Sequence, residues 1–336
     1  MLKGSLIGLG RMGMTHFSIL NNHPDMKFVG VCETTGLIAK NFEKYMGIPV
    51  FSDAASMYDK VHPDFVIIAT PSASHAALVK EAVQRGVHVF VEKPFCLTPH
   101  DGEEIIALLE GKPLVNQVGY VNRFNEVFVE VKRLLDSGML GKIVYLKSEM
   151  YGPTVLKKPK ESSWRGDKRS GGGCLYEFAS HAIDLVNYYL GSPGKISGSL
   201  LPKIYSTKVE DAVFTNFTYD NGMHAIISVN WSDESCRKPM NRIEIFGENG
   251  KIIADKHEFK VYLRESAGGF ESGWTTRYIT DFGGPVRFYV RGNEFTAQLD
   301  DFIECIANGR TKSGCSFADA LETDRMIAGI IEDASR

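Results

Sequence analysis

Apolar and polar positions follow two different patterns along the 336 residues, and the change falls near residue 121. In the first part, short continuous apolar runs such as Lys3–Ile7, Asp64–Ala69 and Val87–Val91 alternate with stretches of helical periodicity. Continuous apolar runs are typical of strands in a parallel sheet that is covered on both faces. The pattern therefore predicts a doubly wound α/β domain with a parallel sheet over residues 1–121.

Residues 122–336 show a different pattern, in which strands pair with their neighbours in the chain. Two strand pairs flank Asn-Gly dipeptides, which are strong hairpin signals. We predict a second α/β domain with a large, mostly antiparallel open sheet. Apolar residues occur on both faces of its strands, so we expect one face of the sheet to pack on a second subunit. The predicted elements are helices over 125–137, 171–190, 293–307 and 317–334, and strands over 143–150, 212–219, 223–231, 241–247 and 251–255.

Composition narrows the class of protein. The chain is 43% hydrophobic and 24% charged, which is ordinary for a globular protein. Its net charge of -3 gives no reason to expect nucleic acid or an anionic membrane as a partner. No apolar run reaches the ~18 residues that span a bilayer. The six cysteines show no Cys-x-x-Cys or zinc spacing, so we expect thiols in a reducing cytoplasm and no metal site.

A glycine-rich motif joins the first predicted strand to the first predicted helix. Gly8, Gly10 and Gly13 form Gly-x-Gly-x-x-Gly, and Arg11 and Met12 lie within it. Gly8 permits a tight turn, Gly10 lets the backbone approach a pyrophosphate, and Gly13 lets helix and strand pack closely. The motif predicts a dinucleotide-binding Rossmann domain, with a glycine-rich turn that holds no ligand as the alternative.

The second strand ends at Glu33, about twenty residues after the glycines. An acidic residue there is placed to accept hydrogen bonds from the adenine ribose and to repel a 2′-phosphate. Thr34 and Thr35 follow, where an arginine would favour the phosphate. We therefore expect NAD rather than NADP, while a solvated strand end remains the alternative for Glu33.

Further loops at the carboxyl ends of the strands are expected to line the cofactor crevice. Lys93 follows the strand Val87–Val91 and precedes a proline, so its backbone is held in extended geometry. A lysine there can stabilise negative charge on a substrate oxygen, and the Lys93–Pro94 bond is a candidate for the cis form. The other cofactor-binding candidates in these loops are Thr70, Pro71, Ser72, His75, Glu92 and Pro94.

A histidine with two carboxylates follows the triple glycine at 171–173. Glu177, His181 and Asp184 are spaced to share one face of a helix. A carboxylate beside an imidazole raises its basicity, which suits a general base that takes a hydroxyl proton. Either Glu177 or Asp184 can assist His181 in this way, and a structural histidine is the alternative.

The segment 152–170 is long, polar and basic, with Lys157, Lys158, Lys160 and Lys168. Long loops in compact domains are usually functional or disordered. Trp164 and Arg165 within it are candidates for contact with substrate. The basic side chains suit the diphosphate of an activated sugar, and a solvated surface loop is the alternative.

Taken together, the motifs 8–13, 69–75, 92–94 and 171–184 resemble the Gfo/Idh/MocA family, which includes glucose–fructose oxidoreductase and inositol dehydrogenase. The resemblance covers nearly the whole chain. It implies a Rossmann domain, a C-terminal α/β domain, a nicotinamide cofactor and a sugar or cyclitol substrate. It also implies a homodimer or homotetramer formed through the C-terminal sheet. The family's catalytic lysine and histidine match Lys93 and His181. Its carboxylate four residues before the histidine is usually aspartate, whereas Glu177 stands here.

The resemblance implies a dehydrogenase or reductase that moves hydride between nicotinamide and a secondary alcohol or ketone of a sugar, nucleotide sugar or cyclitol. Asn122 is then a further cofactor contact, and Tyr120 and Arg123 join Trp164 and Arg165 as substrate contacts. An NAD-dependent glycosidase or lyase with transient ring oxidation is the alternative. A non-catalytic NAD-binding regulator fits less well, because it has no need of both Lys93 and His181.

Overall fold

The computed structural model describes residues 1–157, 164–282 and 291–336, which divide into two compact units. Unit 1 contains residues 1–121 and 291–321, and unit 2 contains residues 122–157, 164–282 and 322–336. The boundary between residues 321 and 322 falls within one helix.

The described residues form helices and strands in the following order. The strands are β1 Leu2–Ile7, β2 Met26–Cys32, β3 Val50–Phe51, β4 Phe65–Ile68, β5 His88–Val91, β6 Asn116–Val118, β7 Ile143–Tyr151, β8 Lys195–Leu200, β9 Ala212–Thr218, β10 His224–Asn230, β11 Met240–Gly247, β12 Gly250–Asp255, β13 Glu258–Leu263 and β14 Gly273–Tyr278. The helices are α1 Arg11–Leu20, α2 Gly36–Met46, α3 Ala54–Val61, α4 His75–Gln84, α5 Pro99–Leu109, α6 Glu126–Asp136, α7 Ser180–Leu190, α8 Asn293–Ala307 and α9 Phe317–Asp333.

Unit 1 is built on a six-stranded sheet with the order β3-β2-β1-β4-β5-β6. Every neighbouring pair is parallel. All four residues of the central strand β4 are fully buried, as expected for a sheet with helices on both faces. This order reverses direction beside β1, so the carboxyl ends of β1 and β4 border the crevice where doubly wound sheets bind ligands. The predicted parallel α/β sheet is confirmed.

Local sequence explains where several helices of unit 1 begin. The Thr98 hydroxyl accepts a hydrogen bond from the Asp101 N–H, and Pro99 occupies the first helical position of α5. The Asp53 carboxylate caps α3 in the same way through the Ser56 N–H. Each cap satisfies a backbone donor that the helix itself leaves without a partner.

Residues 291–321 belong to unit 1, although the sequence led us to place everything after residue 121 in the second domain. Phe302 of α8 packs edge-on against Phe65 and Phe90 of the sheet. The Gln298 carbonyl on the same helix accepts a hydrogen bond of 2.7 Å from the Gln117 side chain. Periodicity predicted α8 but could not show which sheet its apolar face covers.

Unit 2 is built on an eight-stranded sheet with the order β14-β13-β12-β11-β7-β10-β9-β8. Only β7 and β10 run parallel among these strands; the other neighbours are antiparallel. The two hairpins predicted at the Asn-Gly dipeptides are present as β9–β10 and β11–β12. The predicted large, mostly antiparallel sheet is therefore confirmed.

The predicted helix over 171–190 differs from the structure at its beginning. Residues Leu175–Ala179 form a π-helix, and the regular helix α7 starts only at Ser180. Short π segments inside helices are frequent at functional sites. They also shift the angular position of preceding side chains, which simple helical spacing does not anticipate.

Within the described ranges, no helix combines the length and the hydropathy needed to cross a membrane.

A buried aspartate fixes the segment that leads into β9. The Asp211 Oδ2 accepts hydrogen bonds of 2.7 Å from three consecutive backbone N–H groups, and its Oδ1 accepts from the Ser206 hydroxyl and the Trp231 indole. Burial alone would raise the pKa of Asp211, but these donors outweigh burial and lower it below the usual value. The carboxylate is therefore ionised and holds this loop to the end of β10.

We expect Asp211→Asn to lower the free energy of unfolding by roughly 3 kcal/mol at neutral pH, because charged hydrogen bonds are lost and buried donors lose an acceptor. Since the folded-state pKa is depressed, this contribution is present above the unfolded value and disappears as pH falls through the folded value. The difference from wild type should thus shrink below about pH 4.

Thermal and denaturant unfolding at neutral pH and below about pH 4 measure the difference in the free energy of unfolding between Asp211→Asn and wild type. Asp233→Asn is the matched control, because among the described residues the Asp233 carboxylate accepts hydrogen bonds only from nearby Ser235 and Cys236. A difference that persisted unchanged at low pH would contradict the assignment of an ionised Asp211.

Candidate functional site

The glycine-rich loop lies between the end of β1 and the start of α1. A Cβ added at Gly13 would overlap the carbonyl oxygen of Gly8, so only glycine permits this close packing. A Cβ at Gly10 would meet no protein atom within 4 Å, so the backbone there faces open space. Because α1 begins at Arg11, its unpaired N–H groups and positive dipole end meet this space. The loop suits a phosphate group.

A second guanidinium joins Arg11 at this loop. Arg291, which precedes α8, places its Nη1 atom 3.0 Å from the Met12 sulfur and its guanidinium over the Phe295 ring. The loop therefore has positive charge from two distant parts of unit 1. Sequence reasoning missed Arg291, because nothing local links residue 291 to residues 8–13.

The Glu33 carboxylate is held at the same edge of the sheet. One oxygen accepts a hydrogen bond of 2.8 Å from the Leu9 N–H, and the other accepts one of 2.7 Å from the Thr35 N–H. Partial burial alone would raise the pKa of Glu33, but these N–H donors lower it overall. An ionised carboxylate is thus fixed beside the glycine loop, as a ribose partner requires.

These observations fit a bound dinucleotide. The open backbone at Gly10 matches a pyrophosphate, and the fixed carboxylate of Glu33 matches ribose hydroxyls. Gly8–Gly13 and Glu33 therefore have the geometry that an NAD site requires, and their contacts with the cofactor stay a prediction. The same carboxylate would repel a 2′-phosphate.

The turn after β4 is held by its own side chains. The Thr70 and Ser74 hydroxyls are hydrogen-bonded at 2.7 Å, and Ser72–Ser74 form a single 3-10 turn. His75 is fully buried, with its two ring nitrogens 3.0 Å from the Thr70 carbonyl and 2.8 Å from the Pro94 carbonyl. The side chain of His75 is thus engaged with the framework, and its contact with cofactor stays a prediction, as do those of Thr70, Pro71 and Ser72.

Glu92 and Lys93 directly follow β5, beside the turn that ends β4. The Glu92 carboxylate is buried and accepts a hydrogen bond of 2.6 Å from the Nε2 atom of His16 on α1. Burial would raise the pKa of Glu92, but His16 and the charge of Lys93 lower it overall. Lys93 is half-buried, and its peptide bond to Pro94 is cis.

Sequence reasoning also missed His16. It lies on the buried face of α1, six residues after Gly10. A histidine on the apolar face of the helix that follows a dinucleotide loop is the signal that could have found it.

In unit 2, a turn carrying Trp164 and Arg165 packs on the start of the π-helix. A Cβ at Gly172 would overlap the carbonyl oxygens of both residues, which explains why glycine stands there. Arg165 stacks on the Trp164 ring and forms an ion pair of 3.4 Å with Glu177. The structure therefore brings together two predicted substrate contacts and one predicted catalytic carboxylate.

Asp184 has a different environment from Glu177. It is fully buried, and both of its oxygens accept hydrogen bonds, of 2.8 and 2.9 Å, from the guanidinium of Arg123. The Thr323 hydroxyl of α9 donates a third, at 3.1 Å. Arg123 and Asp184 thus form a bidentate pair in the core of unit 2, a structural role that the sequence did not reveal. Their roles toward substrate and in catalysis stay predictions.

The remaining predicted residues differ in exposure. His181 is half-buried on the first turn of α7, whereas Tyr120 and Asn122 are buried. The Asn122 Oδ1 atom has no hydrogen-bond partner among the described residues. Lys158 and Lys160 of the predicted basic loop lie outside the described residues. In the ranges that are described, no group of three or more histidine, cysteine or acidic side chains could hold a metal ion.

Comparison with family models gives two matches that cover most of the chain. The GFO/IDH/MocA model for an oxidoreductase family with an NAD-binding Rossmann fold matches residues 2–120. The model for the GFO/IDH/MocA C-terminal domain matches residues 128–253.

Individual relatives are distant in sequence, and the two described here align over 92% and 75% of this chain. Scyllo-inositol 2-dehydrogenase (NAD(+)) of Bacillus subtilis is 26% identical over 323 residues, 92% of this chain and 87% of the relative. The 2,7-anhydro-N-acetylneuraminate hydratase of Mediterraneibacter gnavus is 24% identical over 75% of this chain and 66% of the relative.

Among solved structures, a levoglucosan dehydrogenase in complex with NADH and levoglucosan superposes with a TM-score of 0.86 at 23% identity, over 99% of this chain and 97% of that one. This similarity supports the fold. The two family models, which together match most of the chain, show that the chain belongs to the GFO/IDH/MocA family of NAD-binding oxidoreductases.

Proposed function

We propose that the protein is an NAD-dependent dehydrogenase or reductase that acts on a secondary alcohol or ketone of a sugar, nucleotide sugar or cyclitol. One observation carries the proposal. Lys93 lies at the carboxyl end of β5, on the same sheet edge as the open glycine loop and the ionised Glu33. Side chains at that edge of a doubly wound sheet are placed to meet a bound dinucleotide and its substrate.

The chain's own groups supply the charge and proton chemistry. Bound NAD⁺ supplies the hydride acceptor. Lys93 stabilises negative charge that develops on the substrate oxygen, and His181 takes the hydroxyl proton as general base. The two residues belong to different units, so the mechanism requires both to reach one substrate.

Glu177 is the carboxylate that we assign to assist His181. It is partly exposed and paired with Arg165, whereas Asp184 already accepts three hydrogen bonds in the core. An exposed carboxylate can change partners during a reaction at low cost, whereas separating a buried ion pair costs several kcal/mol. We therefore assign Asp184 the task of holding α7 in place.

The substrate class follows from the relatives and from the side chains near Glu177. One relative is named for scyllo-inositol and a structural neighbour was solved with levoglucosan, and both ligands are polyhydroxylated rings. Trp164 presents an aromatic surface to solvent, and Arg165 supplies hydrogen-bond donors beside it. Aromatic faces and planar donors suit the faces and hydroxyls of such rings.

A second candidate, a lyase or glycosidase that oxidises the ring only transiently, keeps specific support. One relative is named as a hydratase of an anhydro sialic acid. Such a reaction would use Lys93 and His181 as well but would leave no net reduced cofactor.

We also propose that the sheet of unit 2 carries the contact between subunits. Its strands expose large apolar side chains, including Ile226 at 40% and Trp274 at 58% exposure. Large apolar side chains exposed along one sheet support a role for that sheet in subunit contact. No disulfide joins the six cysteines, all of which lie in the described ranges. A cytoplasmic location stays a prediction.

Replacing Lys93 by alanine should lower kcat by about 10²–10³-fold, because a donor to the developing oxyanion is lost. The dissociation constant for NAD⁺, measured by calorimetry, should change little. Lys80→Ala is the control, because Lys80 is a surface lysine of the same unit paired with Asp101 and Glu104. Near-normal turnover of Lys93→Ala would remove Lys93 from the mechanism.

Replacing Glu33 by alanine should lower the ratio of kcat/KM for NAD⁺ to that for NADP⁺ by about 10–100-fold, since the ribose loses a charged acceptor and a 2′-phosphate loses a repulsive neighbour. Steady-state kinetics with both cofactors measure the ratio. An unchanged ratio, or a wild-type preference for NADP⁺, would show that Glu33 does not set cofactor choice.

A panel of inositols, aldoses, anhydro sugars and nucleotide sugars with NAD⁺ separates the two candidate functions. For a dehydrogenase we expect NADH to accumulate with at least one ring polyol, measured by its near-ultraviolet absorbance. Product detected by mass spectrometry without net NADH would instead establish the lyase or glycosidase reaction.

A further inference from the structure

Lys93 lies between two residues that each form a hydrogen bond with a buried histidine. Glu92 precedes it and accepts a hydrogen bond from His16. Pro94 follows it, and its carbonyl oxygen accepts one from His75. His16 and His75 are fully buried and come from different helices, α1 and α4.

The contact with His16 reaches the backbone of Lys93. The Glu92 Oε1 atom lies 2.6 Å from His16 Nε2, and its Oε2 atom accepts a hydrogen bond of 3.3 Å from the Lys93 N–H. One carboxylate therefore joins α1, whose first turn faces the dinucleotide, to the residue that we assign to the substrate oxygen.

The contact with His75 holds the other side. Its Nδ1 atom lies 2.8 Å from the Pro94 carbonyl, and its Nε2 atom lies 3.0 Å from the Thr70 carbonyl at the end of β4. A neutral imidazole has one N–H to donate, so the ring donates to one of these two carbonyls, and the Pro94 carbonyl is the nearer. Both flanks of Lys93 are tied to elements that border the same edge.

Packing of the core alone would not require histidines that form hydrogen bonds with Glu92 and the Pro94 carbonyl. His16 packs edge-on against Phe90, with ring centroids 5.2 Å apart, in surroundings where an apolar side chain would bury more favourably. Replacing a buried ion pair by apolar residues of similar size is often neutral or stabilising. The polar contacts at both flanks of Lys93 therefore indicate a role in positioning its backbone.

We propose that His16, acting through Glu92, and His75, acting through Pro94, are positioning residues that fix the backbone of Lys93 relative to the dinucleotide-binding edge. This inference rests on the proposed role of Lys93. A misplacement of about 1 Å in a catalytic group can cost about 100-fold in rate. We call the His16–Glu92 and His75–Pro94 contacts the two tethers of Lys93, and loss of either is expected to lower the rate.

The test compares variants that remove each tether with variants that retain a donor. His16→Leu combined with Glu92→Leu removes the first tether without leaving an unpaired buried charge. His75→Leu removes the second. His16→Gln and His75→Asn keep an amide donor near the original Nε2 and Nδ1 positions.

The matched control removes another histidine–carboxylate pair of unit 1. His23 Nε2 lies 3.5 Å from Asp300 Oδ1, away from residues 92–94 in the sequence. His23→Leu combined with Asp300→Leu therefore changes the same chemistry without touching the flanks of Lys93. The measurements are kcat, KM, the dissociation constant for NAD⁺ and the melting temperature.

We expect the leucine variants at 16/92 and at 75 to lose about 100-fold in kcat while NAD⁺ affinity stays within about threefold. The Gln and Asn variants should regain most of the rate, and the control pair should keep it. Because the two tethers are tested separately, loss of folding in one leucine variant leaves the other to decide.

The inference is overturned if the folded leucine variants keep kcat within about threefold of wild type, or if the control pair loses as much rate. It is also overturned if the Gln and Asn variants lose as much as the leucine variants. These results differ from failure of the proposed function, which is shown by near-normal turnover of Lys93→Ala alone.

Discussion

The buried carboxylate of Glu92 is the constraint on which the cofactor edge of unit 1 depends. An ionised carboxylate loses several kcal/mol of hydration when it is buried, so it persists only with a close charged or hydrogen-bonding partner. His16 provides that partner at 2.6 Å. Because His16 lies on α1, the helix must pack at one distance from the end of β5, and the glycine loop at its start is fixed with it.

Two buried carboxylates of unit 2 are also stabilised by close hydrogen-bonding partners. Asp184 receives both donors of the Arg123 guanidinium, and Asp211 receives three backbone N–H groups, a hydroxyl and an indole. Each aspartate then fixes an element: Asp184 holds α7 against α9, and Asp211 holds the segment before β9. A buried charge in this chain can therefore hold an element in place instead of taking part in chemistry. Sequence spacing does not distinguish these two roles.

The sequence predicted most elements whose signals are local. The glycine motif, the Asn-Gly hairpins and the threonine–proline start of α5 each depend on a few consecutive residues, and the structure contains all three. Features that depend on long-range packing were not predictable. Examples are the assignment of α8 to unit 1, the approach of Arg291 to the glycine loop, and the pairing of Arg123 with Asp184.

The π-helix gives a physical reason to treat Glu177 and Asp184 differently. Helical spacing predicted that Glu177, His181 and Asp184 share one face, but residues 175–179 are wound more loosely than an α-helix. Asp184 lies beyond this segment, in the core, while Glu177 lies within it and reaches Arg165 at the surface.

The longer side chain of glutamate allows that reach. An aspartate at position 177 would end one methylene shorter and would not meet Arg165 without a shift of the turn at 164–166. Glu177 and Arg165 therefore act as a pair that brings a guanidinium to the carboxylate four residues before His181.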